Sequence, residues 1–345
     1  MNMLRYVKAL MLFCFIGFLS FCSSSDGGKV RNSYTIKITA EEKGVVYLNG
    51  KNTGNMTPAE LNVGKGEHVF GVGTDGSNQY FRREIDVDED AEIFLSTKDQ
   101  PDPKVWKALW VGVHEVKGSS PNGVCSSHFS KEELNAGYEF FMWSIENHFE
   151  SFTYNTVKWD VERKDIQLPV RLHKASNTWF TLEPNSITEL IPDIKPGEYD
   201  AVFVFWPEQD GDCSFESSYF GLAWTDPMND PIKTGYITIK FDAGSDINEK
   251  IAWYKNNDPG VWVHEWLHTV GENYYQDLGV SMPEKGDDGL VLHAAEKYGY
   301  SYPWMDWYKE FMGGQVRDQK NGSLFLGIGP ETFLKKSLRE VAVVD

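Results

Sequence analysis

His264-Glu265-Trp266-Leu267-His268, the centre of the run Val263–Gly271 (Val-His-Glu-Trp-Leu-His-Thr-Val-Gly), decides how the rest of the chain is read. Residues four apart share one face of a helix, so His264 and His268 can turn an imidazole nitrogen toward a single ion. Glu265 flanks that ion without having to bind it, which suits a general base acting on metal-activated water. The neighbouring residues predict a helix. Val263, Leu267, Val270 and Tyr274 form an apolar stripe, and His264, His268, Gly271 and Tyr275 form the face beside it. Asn257-Asp258-Pro259-Gly260 reads as the turn before the helix and Gly279 as its stop. Up to Glu272 the only charge in the stretch is Glu265, which predicts burial. Two buried histidines and a buried glutamate need partners, and a zinc ion supplies them. The competing reading is a set of core residues that match the motif by chance.

An open zinc site takes a third protein ligand and leaves a fourth position for water. His293 and Glu296 are three apart, so both fall on one face if helical. His293 ends the apolar run Leu290-Val291-Leu292 and is expected to be buried, so it ranks first. Glu296 ranks second, either as ligand or as the group holding a ligand imidazole by its other nitrogen. These residues resemble the His-Glu-x-x-His metallopeptidases of the zincin type over about residues 104–345. The resemblance is specific at His264–His268 and implies Zn²⁺, peptide-bond hydrolysis and Glu265 as catalytic base. The extended metzincin signature fits through Gly271, but its third-ligand position falls on Tyr274. A phenol titrating near ~10 is a poor zinc ligand. The gluzincin pattern, with a downstream glutamate, points to Glu296. Tyr298, Tyr300 and Tyr302 are candidate donors to a developing oxyanion. Met305 reads as core packing rather than a metzincin Met-turn.

With 345 residues the chain is long for one domain, and 14% aromatics with 12 Trp exclude a disordered protein. The formal net charge is −18. Residues 1–21 carry Arg5, Lys8 and no acid, so removing them leaves −20. Such a surface repels nucleic acid and anionic headgroups, and no nucleic-acid partner is expected.

Residues 1–8 are basic and 9–21 almost wholly apolar, about the length of a signal-peptide core. Leu19-Ser20-Phe21-Cys22, followed by a Ser/Gly-rich stretch, resembles a bacterial lipoprotein signal in which Cys22 becomes the lipidated first residue. Phe21 stands where the usual pattern has a small residue. This implies a signal peptide over 1–21, a flexible tether over 22–33, and a membrane anchor at Cys22. The expected location is the bacterial cell envelope, at the outer membrane. Cys125 and Cys213 are left as a pair in an exported chain, open to a disulfide.

Residues 34–99 carry strand signals. Tyr34–Ile38 alternates, Val45–Leu48 runs into the turn dipeptide Asn49-Gly50, and His68–Val72 and Ala91–Leu95 read as further strands. The run Val46–Leu61, then Gly64-Lys65-Gly66-Glu67-His68, resembles the PEGA domain, a small non-catalytic β-sandwich of envelope proteins. His68 then reads as structural. Gln100–Pro103 is the linker. Beyond it, Val105–Val113, Val157–Ile166, Tyr199–Pro207, Gly221–Trp224 and Gly235–Phe241 read as strands, and Ser130 as the N-cap of a helix to about His148. His114 reads as structural.

The expected protein is therefore multidomain, with a small all-β PEGA-like sandwich (34–99) followed by an α+β zincin-like metallopeptidase domain (104–345). Its site is Glu265 with zinc on His264, His268 and His293, and its partner is a protein or peptide substrate. The alternative is a non-catalytic cell-surface binding or adhesion lipoprotein with a structural metal site.

Overall fold

In β1 (Ser33–Ala40) Ile36 and Ile38 are buried while Lys37 between them is exposed. That period of two makes it a half-buried strand. It pairs antiparallel with β4 (Ala59–Gly64) and parallel with β7 (Ala91–Leu95). A second sheet runs β3 (Lys51–Met56), β2 (Gly44–Leu48), β5 (Gly66–Thr74), β6 (Tyr80–Val87). Asn49 and Gly50 join β2 to β3 with φ of 54° and 80°, the left-handed pair that a two-residue hairpin needs. The two sheets share one core, to which Ile36, Val46, Val63, Phe70, Phe81 and Ile93 contribute. The structure, a computed structural model, describes residues 32–120, 123–176, 179–192, 194–215, 221–223, 234–244, 246–269, 272 and 275–342.

The larger part is built on a mixed sheet. Strands β8 (Lys104–Val113), β11 (Val157–Ile166), β15 (Ala201–Asp210) and β18 (Gly235–Asp242) run parallel in the order β11-β8-β15-β18. Between them in sequence lie β9 (Glu115–Ser120), β10 (Gly123–His128), β12 (Val170–Arg171), the hairpin β13 (His173–Ser176) and β14 (Trp179–Thr181), and β16 (Cys213–Ser214). The last strand of the sheet, β17 (Gly221–Ala223), lies antiparallel to β18. Both faces of the sheet are covered, so β15 is buried from Ala201 to Pro207. Phe203 and Phe205 point into an aromatic core, and Val202, Val204 and Trp206 into a second cluster opposite. The aromatic core is closed by α1 (Lys131–Ser144), α3 (Ile247–Asn257), α4 (Val261–Thr269) and α5 (Met305–Gly313). On the other face Cys125 of β10 is disulfide-bonded to Cys213 of β16, with Cα atoms 5.8 Å apart. Helix α2 (Pro184–Thr188) lies between β14 and β15 in sequence. After α5 come the short pair β19 (Val316–Arg317) and β20 (Phe325–Leu326), then α6 (Pro330–Lys335) and α7 (Leu338–Ala342).

Two expectations about helices need correction. The α-helix that begins at Lys131 ends at Ser144 and continues as a π-helical turn, Ile145–Glu150. The motif helix does not reach Gly279. It ends at Thr269, and the Glu272 N–H bonds the Leu267 carbonyl, the 6→1 closure of a helix C-terminus. A separate 3₁₀ turn, Tyr275–Leu278, precedes Gly279, whose φ is +74°.

Candidate metal centre

Helix α4 opens with the His264 N–H on the Gly260 carbonyl. Val261, Trp262, Val263, Trp266 and Leu267 are buried in the aromatic core. That fixes the helix against β17 and β18 and turns His264 and His268, one turn apart, to the same side. His293 arrives on a 3₁₀ turn, Leu292–Ala294, anchored by buried Val291, Leu292, Ala294 and Ala295. The three imidazoles meet at their Nε2 atoms. His268 Nε2 lies 3.0 Å from that of His264 and 3.2 Å from that of His293, and the third side is 3.4 Å.

The other ring nitrogens are all held. His268 Nδ1 is 3.0 Å from Glu272 Oε1, His293 Nδ1 bonds Asp288 Oδ2, and His264 Nδ1 is 2.8 Å from the Tyr308 hydroxyl. An ionised carboxylate only accepts, so His268 and His293 donate from Nδ1 and keep Nε2 as a lone pair. Burial pushes the Glu272 carboxyl up, but the His268 hydrogen bond and charge and two backbone N–H groups outweigh it, leaving Glu272 below its ordinary range and ionised. Burial, then the charges of His268 and His293, hold His264 well below the usual imidazole value. Lone pairs facing one another at this range repel, and a metal cation between them relieves that repulsion. Nitrogens about 2.0–2.1 Å from a tetrahedral zinc lie about 3.3–3.4 Å apart, so the donor set and its spacing fit zinc. His264, His268 and His293 can therefore hold a metal ion.

Glu265 lies beside them, 8% exposed and without a hydrogen-bond partner among the described residues. Burial, then the Asp258 carboxylate, pushes it up to about 8. Gly221 of β17 makes room for it: a Cβ there would stand 2.6 Å from Glu265 Cγ and Oε1. Trp304 lies against two of the imidazoles, its ring centroid 6.1 Å from that of His264 and 6.3 Å from that of His293. It does so at φ +58°, a left-handed conformation uncommon for a bulky side chain.

The remaining candidates fall elsewhere. Glu296 is exposed on the next 3₁₀ turn and is not among the clustered ligands, and Tyr274 lies outside the described residues. The Tyr298 hydroxyl accepts from the Glu284 N–H, Tyr300 bonds Glu310, and Tyr302 bonds Asp258. Met305 opens α5 and packs on the aromatic core. His68 is half-buried on the sandwich, held by Asn49 and the Gly64 carbonyl. Cys22 lies outside the described residues. Glu272, Asp288, Tyr308 and Trp304 belong to the site without a motif in the sequence to mark them. Only Glu272 left a local signal there, four residues after His268.

No family model matches the chain, and no curated protein matches it. Among solved structures it is weakly similar to metalloproteinase-II from Bacteroides fragilis, at 10% identity and a TM-score of 0.25, over 74% of this chain and 78% of that chain.

Proposed function

We propose that the protein is a zinc-dependent, lipid-anchored metallopeptidase of the bacterial cell envelope that acts on protein or peptide substrates. One observation carries the reading: three imidazole Nε2 atoms converge at 3.0–3.4 Å beside a buried glutamate that has no partner among the described residues. Zinc on His264, His268 and His293 would supply the Lewis acidity that polarises a carbonyl and lowers the pKa of water. Glu265 takes the proton of the attacking water and passes it to the leaving amine. Glu272, Asp288 and Tyr308 hold the imidazoles in place. Among the described residues β17 is the last strand of its sheet, and it lies against Glu265, so an extended peptide adding along that edge would come within reach of the carboxylate. The N-terminal sandwich is read as PEGA-like.

Glu265→Gln is expected to keep zinc and fold while casein or peptide-library hydrolysis falls by roughly 10²–10⁴. Full activity in that variant overturns the mechanism. A zinc-loaded wild type that cleaves nothing in a broad peptide set favours a binding lipoprotein with a structural metal instead. Among the described residues no helix is long and apolar enough to cross a membrane. The proposed anchor, read from the sequence Leu19-Ser20-Phe21-Cys22, is a lipid on Cys22, and Cys22→Ser is expected to move the protein from the membrane fraction to the soluble one. A variant that stays with the membrane sinks the lipid anchor.

A further inference from the structure

One carboxylate oxygen joins two of the three imidazoles. Glu272 Oε1 accepts from His268 Nδ1 at 3.0 Å and from the Leu292 N–H at 2.8 Å. His268 belongs to α4, whereas Leu292 is the residue before His293 and opens its 3₁₀ turn. The two side chains of the Glu272–His268 pair are 7% and 6% exposed, so water does not substitute for either contact. Glu272 is itself placed by the end of α4, through its own N–H on the Leu267 carbonyl. The His293 side chain is less constrained, 34% exposed, with Asp288 its carboxylate partner. We propose that Glu272 is the positioning residue of the cluster: it fixes the Nδ1–H tautomer of His268 and, through Leu292, brings His293 to the other two imidazoles.

Two consequences separate this role from general packing. Without the carboxylate, His268 loses its reason to protonate Nδ1, and a proton on Nε2 blocks that nitrogen as a ligand. An amide oxygen can accept the same two N–H groups, so Glu272→Gln is a rescuing substitution where Glu272→Ala is not.

The test uses the full chain in two arms. Zinc affinity depends on the zinc reading proposed above; the tautomer of His268 in metal-free protein does not. By nitrogen-15 NMR, metal-free wild type and Glu272→Gln are expected to carry the His268 proton on Nδ1, and Glu272→Ala to shift it toward Nε2. In competition with a chelator, Glu272→Ala is expected to bind zinc roughly 10–100-fold more weakly and Glu272→Gln to stay near wild type. A wild-type His268 protonated on Nε2 overturns the assignment. So does a Glu272→Ala protein that keeps both the Nδ1 proton and wild-type zinc affinity. If the alanine variant does not fold, wild type and Glu272→Gln still decide the tautomer. A wild type that takes up no zinc removes the peptidase proposal and leaves the tautomer result to judge Glu272.

Discussion

His148 shows what a buried imidazole does away from the metal cluster. It is 6% exposed on the π-helical turn, against Trp143 and Phe152, and its Nδ1 has no hydrogen-bond partner among the described residues. Burial holds it down to about 4 from 6.5. The unfolded chain therefore accepts a proton that the folded chain refuses. The sign follows: this contribution is complete above pH 6.5, declines as the pH falls, and is fully lost below about 4, by about 3 kcal/mol. His148→Phe is expected to flatten that part of the acid slope. Urea midpoints of both proteins at pH 7 and pH 4.5 check it. Equal slopes would mean that His148 is not held neutral. The same contrast explains which site residues the sequence disclosed. His264, Glu265 and His268 are local, one helical turn apart. His293 follows the apolar run Leu290-Val291-Leu292, but the burial expected of it is not found: Val291 and Leu292 are buried while the His293 side chain is 34% exposed, because the 3₁₀ turn puts its neighbours, not the imidazole, into the core. Asp288 and Tyr308 reach the cluster only through tertiary folding, and nothing in their neighbours' periodicity marks them.

At the level of elements, legibility follows burial. The run Tyr199–Pro207 is apolar throughout because both faces of β15 are covered, and Val157–Ile166 is the strand the pattern marks. Ser130 caps α1 as its sequence suggests, accepting from the Glu133 N–H at 3.1 Å while Glu133 accepts back from the Ser130 N–H at 2.7 Å. Strand β3 leaves no hydrophobic signal in the sequence. Its sequence, Lys-Asn-Thr-Gly-Asn-Met, is polar because it is a sheet edge with no fully buried residue. The end of α4 is hidden in the sequence for a different reason. The apolar stripe runs on through Val270 to Tyr274, but helix closure at Glu272 is a backbone event, and hydrophobic periodicity does not register it. What that closure gains is the Glu272 carboxylate placed between α4 and the His293 turn.

At the scale of the molecule, the sandwich is not a free appendage. Residues 33–345 form one compact unit. The outer face of the β3-β2-β5-β6 sheet carries Tyr47 and Tyr80, which are buried with Tyr154 in a small cluster of their own. Tyr47 donates to the Gly313 carbonyl at the end of α5 at 2.7 Å, and Gln315 donates to the Tyr47 hydroxyl at 3.1 Å. Arg82 pairs with Glu331 at 3.1 Å, and the Glu331 side chain is only 4% exposed. Helix α5 also carries Tyr308, the partner of His264, so the sandwich braces the helix that holds one imidazole. Burial pushes both tyrosines well above their ordinary titration range, so these contacts persist through neutral pH. Interfaces this well bonded predict a single cooperative unfolding transition rather than one per domain. Glu331→Ala removes the acceptor of Arg82 Nε and of the Tyr80 hydroxyl and is expected to cost about 1–3 kcal/mol, because Arg82 stays partly solvated and keeps Glu84 at 2.6 Å. The whole transition should move together. Zinc at about a hundred times its Kd should then raise that same transition by about 2.7 kcal/mol, although no metal touches the sandwich. Scanning calorimetry with and without zinc, on wild type and Glu331→Ala, measures both effects. Two resolved transitions, with zinc moving one and Glu331→Ala the other, would show that the sandwich and the metal centre fold independently.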